Sequence, residues 1–212
     1  MTCRERGQRV DLASSSVDVT AVASGYLAVP FDRVRLGPAR CQVILDTFCA
    51  HPSWMSAPLG PEMARIVAAT VLTNPEHKIM EVWRGGDLVG LLLLTDISLG
   101  VDALCHFVFF DKSLVGKRGL ILNWLDQCFE EFQLQRITLE VPETVEVLAS
   151  FARRKLGFKY EGEDRDPSLK HQDAVHHAKQ GSRKERAHYV NGEWRDVLRL
   201  RLLRDERMGR GA

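Results

Sequence analysis

A chain of 212 residues, 45% hydrophobic and 27% charged, has the make-up of an ordinary globular protein with room for one sizeable core. A formal net charge of +1 and a pI near 7.7 supply no general electrostatic reason to bind nucleic acid or an anionic membrane. The longest apolar stretches, Leu91 to Leu94 and Ala103 to Phe110, are far too short to cross a bilayer, and "MTCRERGQRV" has no apolar h-region, so the expectation is a soluble, unexported, cytoplasmic protein. Its five cysteines are odd in number, scattered and without a C-x-x-C pair, which disfavours a disulfide framework and structural zinc; they read as reduced, mostly buried thiols.

Residues 1–16, ending in "LASSS", lack periodicity and read as a flexible N-terminal segment; 17–205 read as a single domain, and the Gly/Arg-rich 206–212 as a flexible tail. "GYLAVPFDRVRL" alternates as an early strand, and "GPARCQVILDTFCAH" follows as a helix with Pro38 near its start. A second helix is predicted over Pro61 to Leu72, again with Pro at the first helical position. "HKIMEVWRGGDLVGLLLLTDI" reads as a β-hairpin around Gly85-Gly86-Asp87. "VDALCHFVFF" is apolar throughout, the pattern of a central strand buried on both faces.

Gly116 to Phe132 carries one apolar stripe, Ile121, Leu125, Cys128, Phe129 and Phe132, and is predicted helical. "RITLEVP" is another strand, and Val145, Leu148, Phe151, Ala152 and Leu156 mark a helix stopped near Gly157. The end returns to β in "GFKYEGEDRD" and in "EWRDVLRLRLL", where Leu198, Leu200 and Leu202 alternate. Between them lies a polar insertion at about 166–190, locally basic, with five Lys/Arg against two Asp/Glu from Lys170 to His188. The order is therefore β-α-α-β-β-β-α-β-α-β-β.

The junction "FFDKSLVGKRGLILNWL", Phe109 to Leu125, joins the central strand to a helix through Gly-Lys-Arg-Gly, with no acidic residue between Asp111 and Asp126. A tight turn into a helix N-terminus presents free N–H groups and partial positive charge and can hold a phosphate; an ordinary solvated turn would look the same. Neither the Walker pattern nor G-x-G-x-x-G is present.

This strand and helix order, the loop "SLVGKRG" after the central strand, and the pairing of "RITLEVP" with a helix ending "RRKLGFKYEG" resemble the GCN5-related N-acetyltransferase (GNAT) superfamily. "KLGFKYEGEDRD" followed by "NGEWRDVLRLRLLRDE" resembles its branch of ribosomal-protein N-terminal acetyltransferases, with a further likeness to phage-encoded members; the resemblance covers roughly residues 20 to 205. It implies an α/β fold with a mixed, mostly antiparallel central sheet, splayed central strands and flanking helices. It also implies acetyl-CoA as co-substrate, with the pantetheine arm along Ala103 to Phe110 and the pyrophosphate on the turn after it. The binding residues so implied are Phe109, Phe110, Val115, Gly116, Lys117, Arg118, Gly119 and Leu120. Four positions depart from the family. Counting from Gly119 puts Gly116 where Arg or Gln is usual and Ile121 where a small residue is usual; Glu146 stands where Asn is frequent, and Arg153 where a Tyr often protonates the thiolate.

Direct transfer from a thioester needs an amine held in place, N–H donors for the oxyanion and a base. Candidate catalytic residues are Glu140, Glu146 and His106, with Glu81 added if its register turns it to the cleft; in an apolar strand His106 reads more readily as a hydrogen-bonded core histidine than as a base. Cys105 reads as a buried small residue, Asp196 with Arg165 as a structural pair or a turn, and His171, His176, His177 and His188 as solvated side chains with no metal site. The insertion reads equally as a solvated loop or one that selects the acceptor. Two functions follow. One is an acetyl-CoA dependent N-acyltransferase, monomeric or homodimeric, acting on a primary amine of a protein N-terminus, a lysine or a small molecule. The other is a catalytically degenerate binding or structural protein, for example a phage particle component. Nucleic acid modification is the weakest reading, since only Tyr189 interrupts the basic run.

Overall fold

The computed structural model describes residues 21–23, 25–34, 37–50, 60–161, 179–190 and 193–209. In chain order the strands are β1 (Ala21–Ala23), β2 (Tyr26–Pro30), β3 (Lys78–Arg84), β4 (Asp87–Ser98), β5 (Asp102–Phe109), β6 (Arg136–Pro142), β7 (Lys159–Tyr160), β8 (Arg183–Val190) and β9 (Glu193–Leu203). The helices are α1 (Pro38–Ala50), α2 (Pro61–Thr73), α3 (Arg118–Glu131), α4 (Glu146–Phe151) and α5 (Arg204–Met208). The strands form one sheet in the order β1-β2-β3-β4-β5-β6-β9-β7, with β8 alongside β9. Every pairing is antiparallel except β5 with β6. This is the mixed, mostly antiparallel α/β architecture the sequence suggests. No helix among the described residues is long and apolar enough to cross a membrane.

Period-2 alternation sorts the side chains into two cores. Leu92, Leu94, Cys105, Phe107, Leu139 and Leu200 pack with Ile121, Trp124, Leu125 and Phe129 of α3. On the other face Ile79, Trp83, Leu91 and Leu93 pack with Ile44 and Phe48 of α1 and Ala68 and Leu72 of α2. The α3 stripe holds for Ile121, Leu125, Cys128 and Phe129, which are fully buried, and Trp124 joins them. The β3–β4 turn has the two positive φ angles that a tight hairpin needs, +58° at Gly85 and +95° at Gly86. Of the thiols described, Cys105 and Cys128 are buried and Cys41 and Cys49 half-buried, all free.

Four expectations change. Burial alternates along β5, with Ala103, Cys105 and Phe107 buried and Leu104, His106 and Val108 half-buried, so the strand is not closed on both faces. The insertion is partly regular: Arg183–Val190 pairs along β9, extending the sheet where polarity suggested a loop, while 162–178 lie outside the described residues. The presumed tail contains α5, tied down by Glu206 to Lys159 at 2.8 Å and by Arg207 to Asp126 at 2.5 Å, anchors that hydrophobic periodicity does not report. Finally Val145 stands 44% exposed in a 3₁₀ turn ahead of α4, off the predicted stripe. The α4 stripe closes instead through a π turn, Ala152–Leu156, which ends at Gly157 with φ +88°.

Glu81 is wholly buried at 0% exposure on the α1 side of β3, paired with Leu91 of β4, which pairs in turn with Val108 of β5. Two strand spacings, about 10 Å, therefore separate it from β5, and it does not face the cleft. Its Oε2 accepts from Arg40 of α1 (Nε 3.1 Å, a terminal nitrogen 2.9 Å) and from Trp83 Nε1 (2.7 Å). Burial raises its carboxyl above the usual range, and Arg40 and Trp83 oppose that rise. Removing one partner of such a pair strands the other. Glu81→Ala is expected to lower the unfolding free energy by about 3 to 5 kcal/mol, read by urea or thermal unfolding. Unchanged stability would mean that this cluster does not hold α1 to the sheet.

Candidate functional site

The parallel ladder between β5 and β6 is short. It runs from Asp102 opposite Arg136 to Cys105 opposite Leu139 and stops there. Beyond that point β5 keeps its partner β4 as far as Phe109 opposite Gly90, and β6 keeps β9 as far as Pro142 opposite Val197. A gap thus opens between two strands that are each half-paired. Phe110 N–H donates to Val89 O at 3.0 Å, so alternation turns the backbone groups of Val108 and His106 toward β4. Those of Phe107 and Phe109 face the gap, with no strand among the described residues opposite them. Phe109 packs edge-on against Phe151 of α4 at 6.5 Å, and Phe107 against Phe158 at 6.5 Å, which lines the α3/α4 side of the gap with aromatic rings.

After Phe109 the chain turns through a 3₁₀ segment, Lys112–Gly116, into α3. Asp111 caps that segment by accepting from Ser113 N–H at 2.7 Å. Arg84, at the far end of β3, clamps the same loop through Asp111 at 2.5 Å and Ser113 Oγ at 2.8 Å, while Tyr26 donates to Ser113 Oγ at 2.6 Å. The backbone and side-chain bonds from Ser113 hold the Asp111 carboxyl below its usual range, with Arg84 adding to the effect. Leu114 anchors the turn, fully buried against β4. No side chain caps the α3 N-terminus. Gly116 and Gly119 are exposed, and a Cβ built at either meets nothing within 4 Å, so no protein atom requires glycine there. Bare turn, uncapped N–H groups and nearby cations are what an anion would need.

The eight binding positions read from the sequence divide accordingly. Gly116, Lys117, Arg118 and Gly119 make up the loop's end and the helix start, with Val115 half-buried and Leu120 buried beneath them. Lys117 Nζ lies 4.6 Å above the Tyr26 ring, and Arg118 Nε donates to Lys155 O at 2.5 Å, joining α3 to the π turn. Phe109 borders the gap. Phe110 does not: its N–H is used by Val89, and its ring packs edge-on against Phe48 of α1 at 6.3 Å.

Of the three candidate bases the structure brings two together. His106 is the first residue of β5 past the last β5–β6 pair, and Glu140 the first of β6 past it, both on the face away from α3. His106 Nε2 lies 3.0 Å from Thr95 Oγ, and burial holds the imidazolium below its ordinary value of 6.5 despite the nearby carboxylates of Asp96 and Glu140. Glu140 Oε1 sits 3.6 Å from both Lys184 Nζ and Arg199 Nε. Glu146 stands apart: its exposed carboxylate pairs with Lys179 at 2.7 Å, and that bond lowers its pKa. Cys105, fully buried, has its thiol pushed well above the usual range by burial, so it is no nucleophile. Arg153 stacks over the Tyr160 ring at 4.5 Å. Asp196 pairs with Arg183 at 2.5 Å; Arg165, His171, His176, His177 and Trp54 lie outside the described residues, as do the side chains of His188, Tyr189 and Trp194. Among the described residues no group of His, Cys, Asp and Glu could hold a metal ion.

The fold as a whole has counterparts among solved structures. The spermidine N-acetyltransferase of Vibrio cholerae in complex with CoA and spermine superposes with a TM-score of 0.60 at 18% identity, over 88% of this chain and 99% of that one. This chain has the GNAT fold. A dodecameric structure of the same Vibrio cholerae enzyme in an intermediate state matches with a TM-score of 0.60 at 18% identity, over 90% of this chain and all of that one (100%). No family model and no curated protein matches the sequence.

Sequence reasoning missed the clamp of Arg84, Tyr26, Asp111 and Ser113. Only the Asp-x-Ser spacing at the cap carries a local signal, because the other contacts span up to 87 positions. It also missed Gly90, whose added Cβ would stand 2.5 Å from Leu114 Cδ2 and 2.9 Å from Val108 O. Gly90→Ala is therefore expected to push Leu114 off β4 and to destabilise by about 1 to 3 kcal/mol, with faster amide exchange confined to 111–119. Parent-like stability and exchange would show that the loop is not seated through this contact.

Proposed function

We propose that the protein is an acetyl-CoA dependent N-acyltransferase that moves an acetyl group to a primary amine by direct attack. The observation that carries this is the parallel ladder that ends at Cys105 and Leu139 and opens onto the loop leading into α3. An extended pantetheine arm fits as a surrogate strand against the free backbone groups of Phe107 and Phe109, over the rings of Phe109 and Phe151. The pyrophosphate takes the start of α3 at Gly116 to Gly119, with Lys117 beside it. A solved structure of this fold holds CoA and spermine, which supports both halves of the reading. CoA supplies the activated thioester; the protein positions it and manages a proton.

The thioester then lies at the apex of the gap, where the Phe107 N–H donates to the developing oxyanion. The amine arrives from the face of His106 and Glu140. A C–N bond forms, the C–S bond breaks with its electron pair going to sulfur, and one amine proton passes to a base. His106 suits that role because burial keeps it neutral near pH 7 and among the described residues its Nδ1 has no hydrogen-bond partner. Glu140 is held by two cations instead. Glu146 lies off this path. The Tyr that often protonates the thiolate is Arg153 here, so the proton returns to sulfur from the imidazolium or from solvent.

Thiol release from acetyl-CoA, followed with a panel of spermine, a lysine peptide and a peptide with a free N-terminus, tests the reading. Release that requires an amine, that falls about 100-fold or more in His106→Gln and that leaves the fold intact is the expected result. The pH profile of kcat/KM should have its acid limb below 6.5, because the folded-state imidazolium is lowered from that value. No release with any amine would favour the degenerate binding protein.

A further inference from the structure

The β4–β5 ladder is regular as far as Thr95 opposite Leu104 and then slips before Ser98 opposite Asp102. Inside the slip Asp96 adopts φ +49°, a left-handed backbone that residues other than glycine rarely take. Aspartate is among the few non-glycine residues that tolerate this region, so it is the contact made by the Asp96 side chain, not the bulge, that calls for a reason. Its carboxylate Oδ2 lies 3.3 Å from Thr95 Oγ, and that oxygen lies 3.0 Å from His106 Nε2. An ionised carboxylate only accepts, and a hydroxyl has a single proton to give.

We propose that Asp96 and Thr95 are positioning residues that set the tautomer of His106. The Thr95 hydroxyl donates to Asp96, its oxygen accepts from His106 Nε2–H, and the lone pair is left on Nδ1. This rests on the acyltransferase reading only for its purpose: Nδ1 takes the amine proton as the C–N bond forms and the C–S bond breaks, then gives it to the departing sulfur or to water. The left-handed bulge is the means by which a surface carboxylate reaches back to the hydroxyl beside it. The charges that act on the ring are Asp96 from β4 and Glu140 from β6, which favour the imidazolium, and His77 ahead of β3, which opposes it.

The test is two-bond 1H–15N correlation of the histidine side chains in the full chain, with His106 assigned through His106→Gln. The expected spectrum is that of an Nε2-protonated ring in the parent and in Thr95→Ser, and a mixture of tautomers in Thr95→Val and Asp96→Gly. Asp96→Gly separates positioning from structure. Glycine accepts the positive φ, so its unfolding midpoint should be equal to or above the parent's, while kcat falls about tenfold and Thr95→Ser retains turnover. An Nδ1-protonated ring in the parent, or unchanged tautomers and turnover in both disruptive variants, would overturn the proposal. The expected tautomers in a parent that transfers no acetyl group would support the relay and sink the acyltransferase reading instead.

Discussion

Four residue pairs of parallel ladder, Asp102 to Cys105 against Arg136 to Leu139, hold the two halves of the sheet together, and every candidate site feature depends on where they stop. On one side β5 stays bonded to β4, and on the other β6 stays bonded to β9, so each half follows its own twist once the shared pairs end. The rings beneath the opening keep it open. Phe107 packs edge-on against Trp124 and Phe158, and Phe109 against Phe151, placing bulk from α3, α4 and the α4–β7 connection where closer strand approach would be needed. The exposed backbone groups of Phe107 and Phe109 and the positions of His106 and Glu140 all follow from that termination.

Two polar clusters then fix what surrounds the opening. Glu81 with Arg40 and Trp83 ties α1 to the sheet, and Arg84 with Asp111, Ser113 and Tyr26 ties the loop before α3 to the β3–β4 hairpin. The first is buried at Glu81 and Trp83 with Arg40 half-buried at its edge, and is chiefly a matter of stability. The second is half-exposed, and its worth is geometric, since it holds a glycine-bearing turn in place without filling the space above it.

Where the structure depends on repeating local pattern, the sequence was legible. Helical spacing at Ile121, Leu125, Cys128 and Phe129 places α3, and Gly85-Gly86 places the hairpin, because burial and turn geometry act over a few neighbouring residues. Features held by distant partners were not. The helix Arg204–Met208 depends on Asp126 and Lys159, the strand Arg183–Val190 on its register with β9, and the orientation of Glu81 on which strands flank it. The loop was legible as a place but not as a mechanism: Gly116 and Gly119 read directly, whereas Asp96 and Thr95, ten and eleven positions before His106, have no local signature.

The central claim is that the opening and the α3 start form a coenzyme site, and thermal unfolding with acetyl-CoA and with desulfo-CoA tests it most directly, on the parent and on Gly119→Asp. An acid in the first helical turn does not weaken α3, yet it repels a pyrophosphate. The account predicts that either ligand at about 100 times its Kd stabilises the parent by about 2.7 kcal/mol, and that Gly119→Asp, as stable as the parent when free, loses most of that gain. No stabilisation of the parent by either ligand, or equal stabilisation of both proteins, would contradict it.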